Sequence, residues 1–221
     1  MPDLVIFDCD GVLIDSEIIF GRVLGECLIN AAFPITMDEA MALGFGKNRI
    51  TLTAEIEARF ARTLPDTFFD TFRAQVDVAF ERELTAIPDI EALLAGLPAR
   101  RCVASNSHID RVRHALAVTR LLQLFEPHVF SASQVARGKP APDLFLFAAR
   151  QFGISGERCI VVEDSIVGVA AAVAAGMPVV GFCGGGHCPT DHADHLIAAG
   201  CSQVFAGMPD LRAFLCGAEC E

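Results

Sequence analysis

Short, largely apolar runs rich in β-branched residues recur along the chain: Leu4–Phe7, Cys102–Ala104, His128–Phe130, Ile160–Val162, Pro178–Phe182 and Gln203–Phe205. They are continuous rather than alternating, which is the pattern of strands buried on both faces. Helical patterns fill the intervals, and Ser107 with Asp110 reads as a capping box ahead of Ile109–Val118. Strands alternating in this way with helices predict a parallel sheet covered on both sides. The alternation lapses between Ser16 and Thr85, where no strand-like run occurs. Glu17–Phe33 reads as a helix, Thr36 and Glu39 as a capping box opening a second, and Arg49–Ala61 and Asp66–Glu83 as two more. The expected fold is therefore α/β: a Rossmann-like parallel-sheet core of residues 1–15 and 86–221, with an inserted all-helical cap over residues 16–85.

The run from Ile166 to Cys183 carries no charge over 18 residues, but Gly168, Gly176, Pro178 and Gly181 interrupt it. It predicts a helix followed by a strand rather than a membrane span. The formal charge of −11 repels phosphate backbones and argues against a nucleic-acid partner. Met1-Pro2-Asp3 lacks the basic start of a signal peptide, and nine scattered cysteines suit a reduced, cytoplasmic chain. No membrane partner is expected, and the chain is read as a monomer with a dimer as the alternative. Of 17 basic residues only two are lysines, Lys47 and Lys139.

Ligands of an open parallel sheet bind beyond the carboxyl ends of its strands. Here those ends run into Asp8-Cys9-Asp10-Gly11, Ser105-Asn106-Ser107 and Glu163-Asp164-Ser165, and the strand at His128–Phe130 leads on to Gly138-Lys139-Pro140. A lone Asp after a strand is commonly a turn or cap residue, but no structural need gathers four carboxylates. Two unit charges ~5 Å apart at an effective dielectric of ~20 repel by roughly 3 kcal/mol. A cation among them relieves this, and hard oxygen donors suit Mg²⁺. Asp8 and Asp10, two positions apart, allow one carboxylate to attack while the other exchanges a proton.

These residues resemble the motifs of the haloacid dehalogenase superfamily of phosphotransferases, in its β-phosphoglucomutase-like phosphatase subgroup. Phe7-Asp8-Cys9-Asp10-Gly11-Val12-Leu13-Ile14-Asp15-Ser16 is similar to its first motif, Ser105-Asn106 to the second, Lys139 to the third, and Glu163-Asp164-Ser165 to the fourth. The resemblance implies a Mg²⁺-dependent phosphatase of small phosphorylated metabolites, sugar or sugar-acid phosphates. Asp8 would be the nucleophile and Asp10 the acid and base. Asp8, the carbonyl of Asp10, Asp164 and Glu163 would serve the metal. Ser105 and Lys139 would bind phosphoryl oxygens, with Gly11, Asn106 and Ser107 lining the substrate site. The cap loop residues Lys47, Asn48 and Arg49 would suit a second anionic group on the substrate.

Alternatives remain open. Asp10 argues against a dehalogenase, which does not need it. The subgroup's mutases carry a histidine where this chain has Phe20. A phosphonate hydrolase would use a cap lysine, here Lys47, and a phosphometabolite-binding protein would use the same fold without turnover. Cys183, His187 and Cys188, with His192 and His195, fit no common zinc spacing and are read as a loop at the active-site mouth.

Overall fold

In the computed structural model, residues 1–44 and 49–217 are described. In chain order the elements are β1 (Leu4–Phe7), α1 (Glu17–Asn30), α2 (Met37–Gly44), α3 (Arg49–Phe60), α4 (Phe68–Glu83), α5 (Ile90–Gly96), β2 (Arg100–Ser105), α6 (Ile109–Val118), α7 (Leu122–Phe125), β3 (Val129–Ser131), α8 (Asp143–Phe152), β4 (Cys159–Glu163), α9 (Ile166–Ala174), β5 (Val179–Phe182), α10 (His192–Ala199), β6 (Val204–Phe205) and α11 (Met208–Leu215). The chain divides into two compact units, Met1–Asp15 with Thr85–Glu221, and Ser16–Leu84.

The first unit holds a six-stranded parallel sheet in the order β3-β2-β1-β4-β5-β6. The expected parallel α/β core is thus present. β1 lies at the centre, and all four of its residues are buried, as unbroken apolar sequence requires. Beneath one face, Leu144, Phe145 and Ala148 of α8 and Val169, Ala171 and Ala172 of α9 pack against Leu4, Ile6 and Val161. Strand order reverses on either side of β1, so the crevice at its carboxyl end is the switch point where such sheets take ligands.

Register decides what reaches that crevice. Phe7 lies opposite Val103 of β2 and Val162 of β4. The next residue, Asp8, still donates its N–H to Val162 at 2.9 Å, so Asp8, Ser105, Glu163 and Asp164 all lie within two residues of one line across the sheet. The uncharged run after Glu163 resolves as expected into α9, a left-handed Gly176 at φ +69°, and β5. Among the described residues no helix is long and apolar enough to cross a membrane.

The second unit is helical throughout its described residues. The capping box expected at α2 forms in both directions: Glu39 Oε2 accepts from Thr36 N–H at 2.9 Å, and Glu39 N–H donates to Thr36 Oγ1 at 3.3 Å. Phe20 of α1 packs edge-on against Phe80 of α4, ring centroids 5.5 Å apart. The box expected from Ser107 and Asp110 is not what starts α6. His108 is the N-cap residue, and Ser107 directs its hydroxyl elsewhere.

Candidate active site

The loop after β1 is tight because Gly11 takes φ +77° and its N–H donates to Ile14 O at 2.8 Å. A Cβ at Gly11 would lie 1.9 Å from Asp164 Oδ2, so glycine is required both for the turn and for the approach of that carboxylate. Asp8 is then delivered into the crevice with 8% of its surface exposed. Lys139 is buried to 6% and bridges two acids, its Nζ lying 2.5 Å from Asp8 Oδ1 and 2.6 Å from Glu163 Oε1. Asn106 holds Lys139 in place through the main chain. Its Oδ1 accepts from the Lys139 N–H at 2.8 Å, and its Nδ2 donates to the Lys139 carbonyl at 3.1 Å.

Glu163 is fully buried, and its second oxygen, Oε2, accepts from Ser165 Oγ at 2.9 Å and Ser165 N–H at 3.1 Å. Gly168 leaves the space that Glu163 fills, since a Cβ there would come within 1.8 Å of Glu163 Oε1. Ser105 is buried and accepts from the Ser107 N–H at 3.1 Å. Asp10 is held by two donors on a single oxygen: Oδ2 accepts from Ser107 Oγ at 3.0 Å and from Arg111 Nη2 at 2.7 Å.

Burial pushes the carboxyls of Asp8 and Asp164 well above the ordinary range. Neighbouring Glu163 adds to both shifts, while the Lys139 ammonium works against them. Burial also opposes the charge on Lys139, but Asp8 and Glu163 outweigh it and hold the ammonium protonated. Among the described residues, Asp8, Glu163 and Asp164 bring ligand oxygens within 4.8 Å of one another. Four carboxylates thus face the permanent cations of Lys139 and Arg111. Hard oxygen donors gathered this closely, and resisting ionisation without a cation, fit a divalent metal ion.

The sequence-expected residues Asp8, Asp10, Gly11, Ser105, Asn106, Ser107, Lys139, Glu163 and Asp164 all gather at this sheet edge. Arg49 lies in the helical unit, its guanidinium 4.5 Å from the ring centroid of Phe69. Lys47 and Asn48 lie outside the described residues. The loop after β5, expected only at the mouth of the site, reaches Asp164 directly, and Arg111 of α6 was not expected at the site at all. His187, from the loop after β5, sets Nε2 2.9 Å from Asp164 Oδ2, and His192 Nε2 lies 2.5 Å from the Asp164 carbonyl oxygen. Arg111 gave a signal that was there to use, because long side chains in the first turn of a helix lean back towards its N-terminus and so towards the strand ends.

The model of the haloacid dehalogenase-like hydrolase family matches residues 2–176. The chain belongs to this family. The hydrolase is 32% identical to the 6-phosphogluconate phosphatase of Escherichia coli over 186 residues, 84% of each chain. It superposes on a haloacid dehalogenase-like protein of unknown function from Agrobacterium tumefaciens with TM-score 0.88 and 38% identity, covering 98% of this chain and 99% of the other. A family hydrolase from Deinococcus radiodurans, solved with bound phosphate and sodium, gives TM-score 0.82 and 34% identity over 98% and 96% of the two chains.

Proposed function

We propose that this hydrolase is a Mg²⁺-dependent phosphatase of sugar or sugar-acid phosphates that works through an aspartyl-phosphate on Asp8. One observation carries the reading: Asp8, at the end of the central strand, is a buried carboxylate bonded to a buried lysine. The Lys139 ammonium opposes the rise that burial imposes on the Asp8 carboxyl, and it would meet the phosphoryl oxygens that Asp8 must approach. Ser105 would take a further phosphoryl oxygen. Asp10 would give a proton to the leaving oxygen and recover it from the water that attacks the aspartyl-phosphate.

Asp8, Asp164 and the carbonyl of Asp10 would hold Mg²⁺, whose charge would offset the anionic ester beside an anionic nucleophile. Glu163 has both oxygens engaged, which suits it to fixing Lys139 and ordering the turn before α9. The match to a 6-phosphogluconate phosphatase favours an acid sugar phosphate, and Lys47, Asn48 and Arg49 are proposed to bind its carboxylate. The mutase reading is weaker, because the position of the subgroup's histidine is taken by Phe20, an aromatic packing residue of the helical unit.

Asp8→Asn is expected to abolish phosphate release from p-nitrophenyl phosphate with Mg²⁺ while the protein still melts cooperatively. Turnover surviving in that variant would refute the mechanism. A phosphate-release screen comparing acidic with uncharged sugar phosphates tests the substrate class.

A further inference from the structure

Arg111 lies in the first turn of α6, 101 positions along the chain from Asp10, yet their side chains meet at 2.7 Å. The pair is not a surface salt bridge, since Arg111 exposes 20% of its side chain and Asp10 14%. Ser107 Oγ donates to the same carboxyl oxygen from another direction. Two donors converging on Oδ2 fix both the rotation and the plane of the carboxyl group. A planar guanidinium does this better than an ammonium, because its donors have fixed directions.

We propose that Arg111 is the positioning residue for proton transfer: it anchors Asp10 by Oδ2 so that Oδ1 serves the leaving oxygen, and it balances the carboxylate charge that appears as the proton departs. The proposal rests on the reading of Asp8 as nucleophile and Asp10 as acid. In the first step an electron pair of an Asp8 oxygen forms the bond to phosphorus. The bond from phosphorus to the ester oxygen breaks, with its pair staying on that oxygen. Asp10 supplies the proton to it and is left as a carboxylate against Arg111. In the second step that carboxylate takes a proton from water as the water oxygen forms its bond to phosphorus; the bond from phosphorus to the Asp8 oxygen breaks, its pair returns to the Asp8 carboxylate, and inorganic phosphate leaves. Charge that develops on Asp10 thus meets a preorganised cation. Arg111 itself touches no reacting atom.

The test exploits the leaving group. For an alkyl phosphate, departure of the alkoxide needs a proton; for p-nitrophenyl phosphate the phenolate leaves without one. The ratio kcat/KM reports the steps up to transfer to Asp8. With the full chain and Mg²⁺, R111M is expected to lower kcat/KM for a sugar phosphate at least about tenfold more than for p-nitrophenyl phosphate, within the roughly 10²–10⁴ that general acid catalysis supplies. R111K, which keeps the charge and protects the fold, shows the same bias at smaller amplitude, and it decides the matter if R111M does not fold. D10N shows the bias in full, and adding R111M to D10N deepens it no further.

Equal losses on both esters would make Arg111 a phosphoryl-binding residue, and no loss on either would make it an ion pair of the fold; both overturn the proposal. If D10N itself shows no bias, the acid role of Asp10 fails instead, and the two failures are told apart.

Discussion

At the scale of single residues, Lys139 holds together groups that would otherwise repel. It bonds Asp8 and Glu163 at once while nearly excluded from water. Removing one partner of such a buried network leaves uncompensated charge and typically costs about 3–5 kcal/mol. A guanidinium in its place keeps the charge but needs more room and more acceptors. Lys139→Arg is therefore expected to retain the fold and to lower kcat by at least about tenfold, measured as phosphate release. Full activity in that variant would mean that charge alone matters at this position. His187 contacts another acid of the cluster, its Nε2 lying 2.9 Å from Asp164 Oδ2. Partners of metal-binding carboxylates commonly tune affinity by about 10–100-fold, so His187→Ala is expected to weaken Mg²⁺ binding by about that factor in a calorimetric titration of the substrate-free protein.

At the scale of elements, the turn from β4 into α9 joins fold to chemistry. Ser165 caps α9 by accepting from the Gly168 N–H at 3.0 Å, and its hydroxyl donates a hydrogen bond to Glu163 Oε2 at 2.9 Å. Gly168 is the residue that lets the helix pass this close to a carboxylate. Gly168→Ala improves intrinsic helix propensity by about 1 kcal/mol, yet it must displace Glu163 and, through it, Lys139. The expected outcome is a lower Tm together with a lower kcat; a raised Tm with unchanged kcat would show that Glu163 moves aside without consequence. The element pattern itself was legible in the sequence, because strands buried on both faces are continuously apolar and helices carry caps. Ends were legible only to within three residues: β3 runs Val129–Ser131 rather than from His128, and α1 stops at Asn30 rather than Phe33. At α6 the hydroxyl of Ser107 has a stronger claim from Asp10 than from the helix, so the local capping rule gave way to a contact nearly a hundred residues distant.

At the scale of the whole molecule, stability and metal binding are coupled. Burial raises the carboxyls of Asp8 and Asp164 above their ordinary values in the metal-free protein. A carboxyl raised in the folded state holds its proton more tightly there than in the unfolded chain. Its contribution therefore favours the fold at acid pH and is lost as pH climbs from the ordinary carboxylate range through the raised value. A divalent cation reverses this by binding the ionised form. Saturating Mg²⁺ is thus expected to raise Tm more at pH about 8 than at about 5, with ligand at ~100 times Kd adding about 2.7 kcal/mol. Asp164→Asn should remove most of that gain; an equal gain at both pH values would place the metal away from these acids. The sequence by itself determined the element order, the helical insertion and the strand-end positions of Asp8, Ser105, Glu163 and Asp164, with Lys139 in the loop that follows β3, because burial pattern and topology are local or nearest-neighbour properties. Only the tertiary structure decided which charges meet. Lys139 was found between Asp8 and Glu163, Arg111 on Asp10 and His187 on Asp164, since the direction of a long side chain depends on distant neighbours that no local pattern encodes.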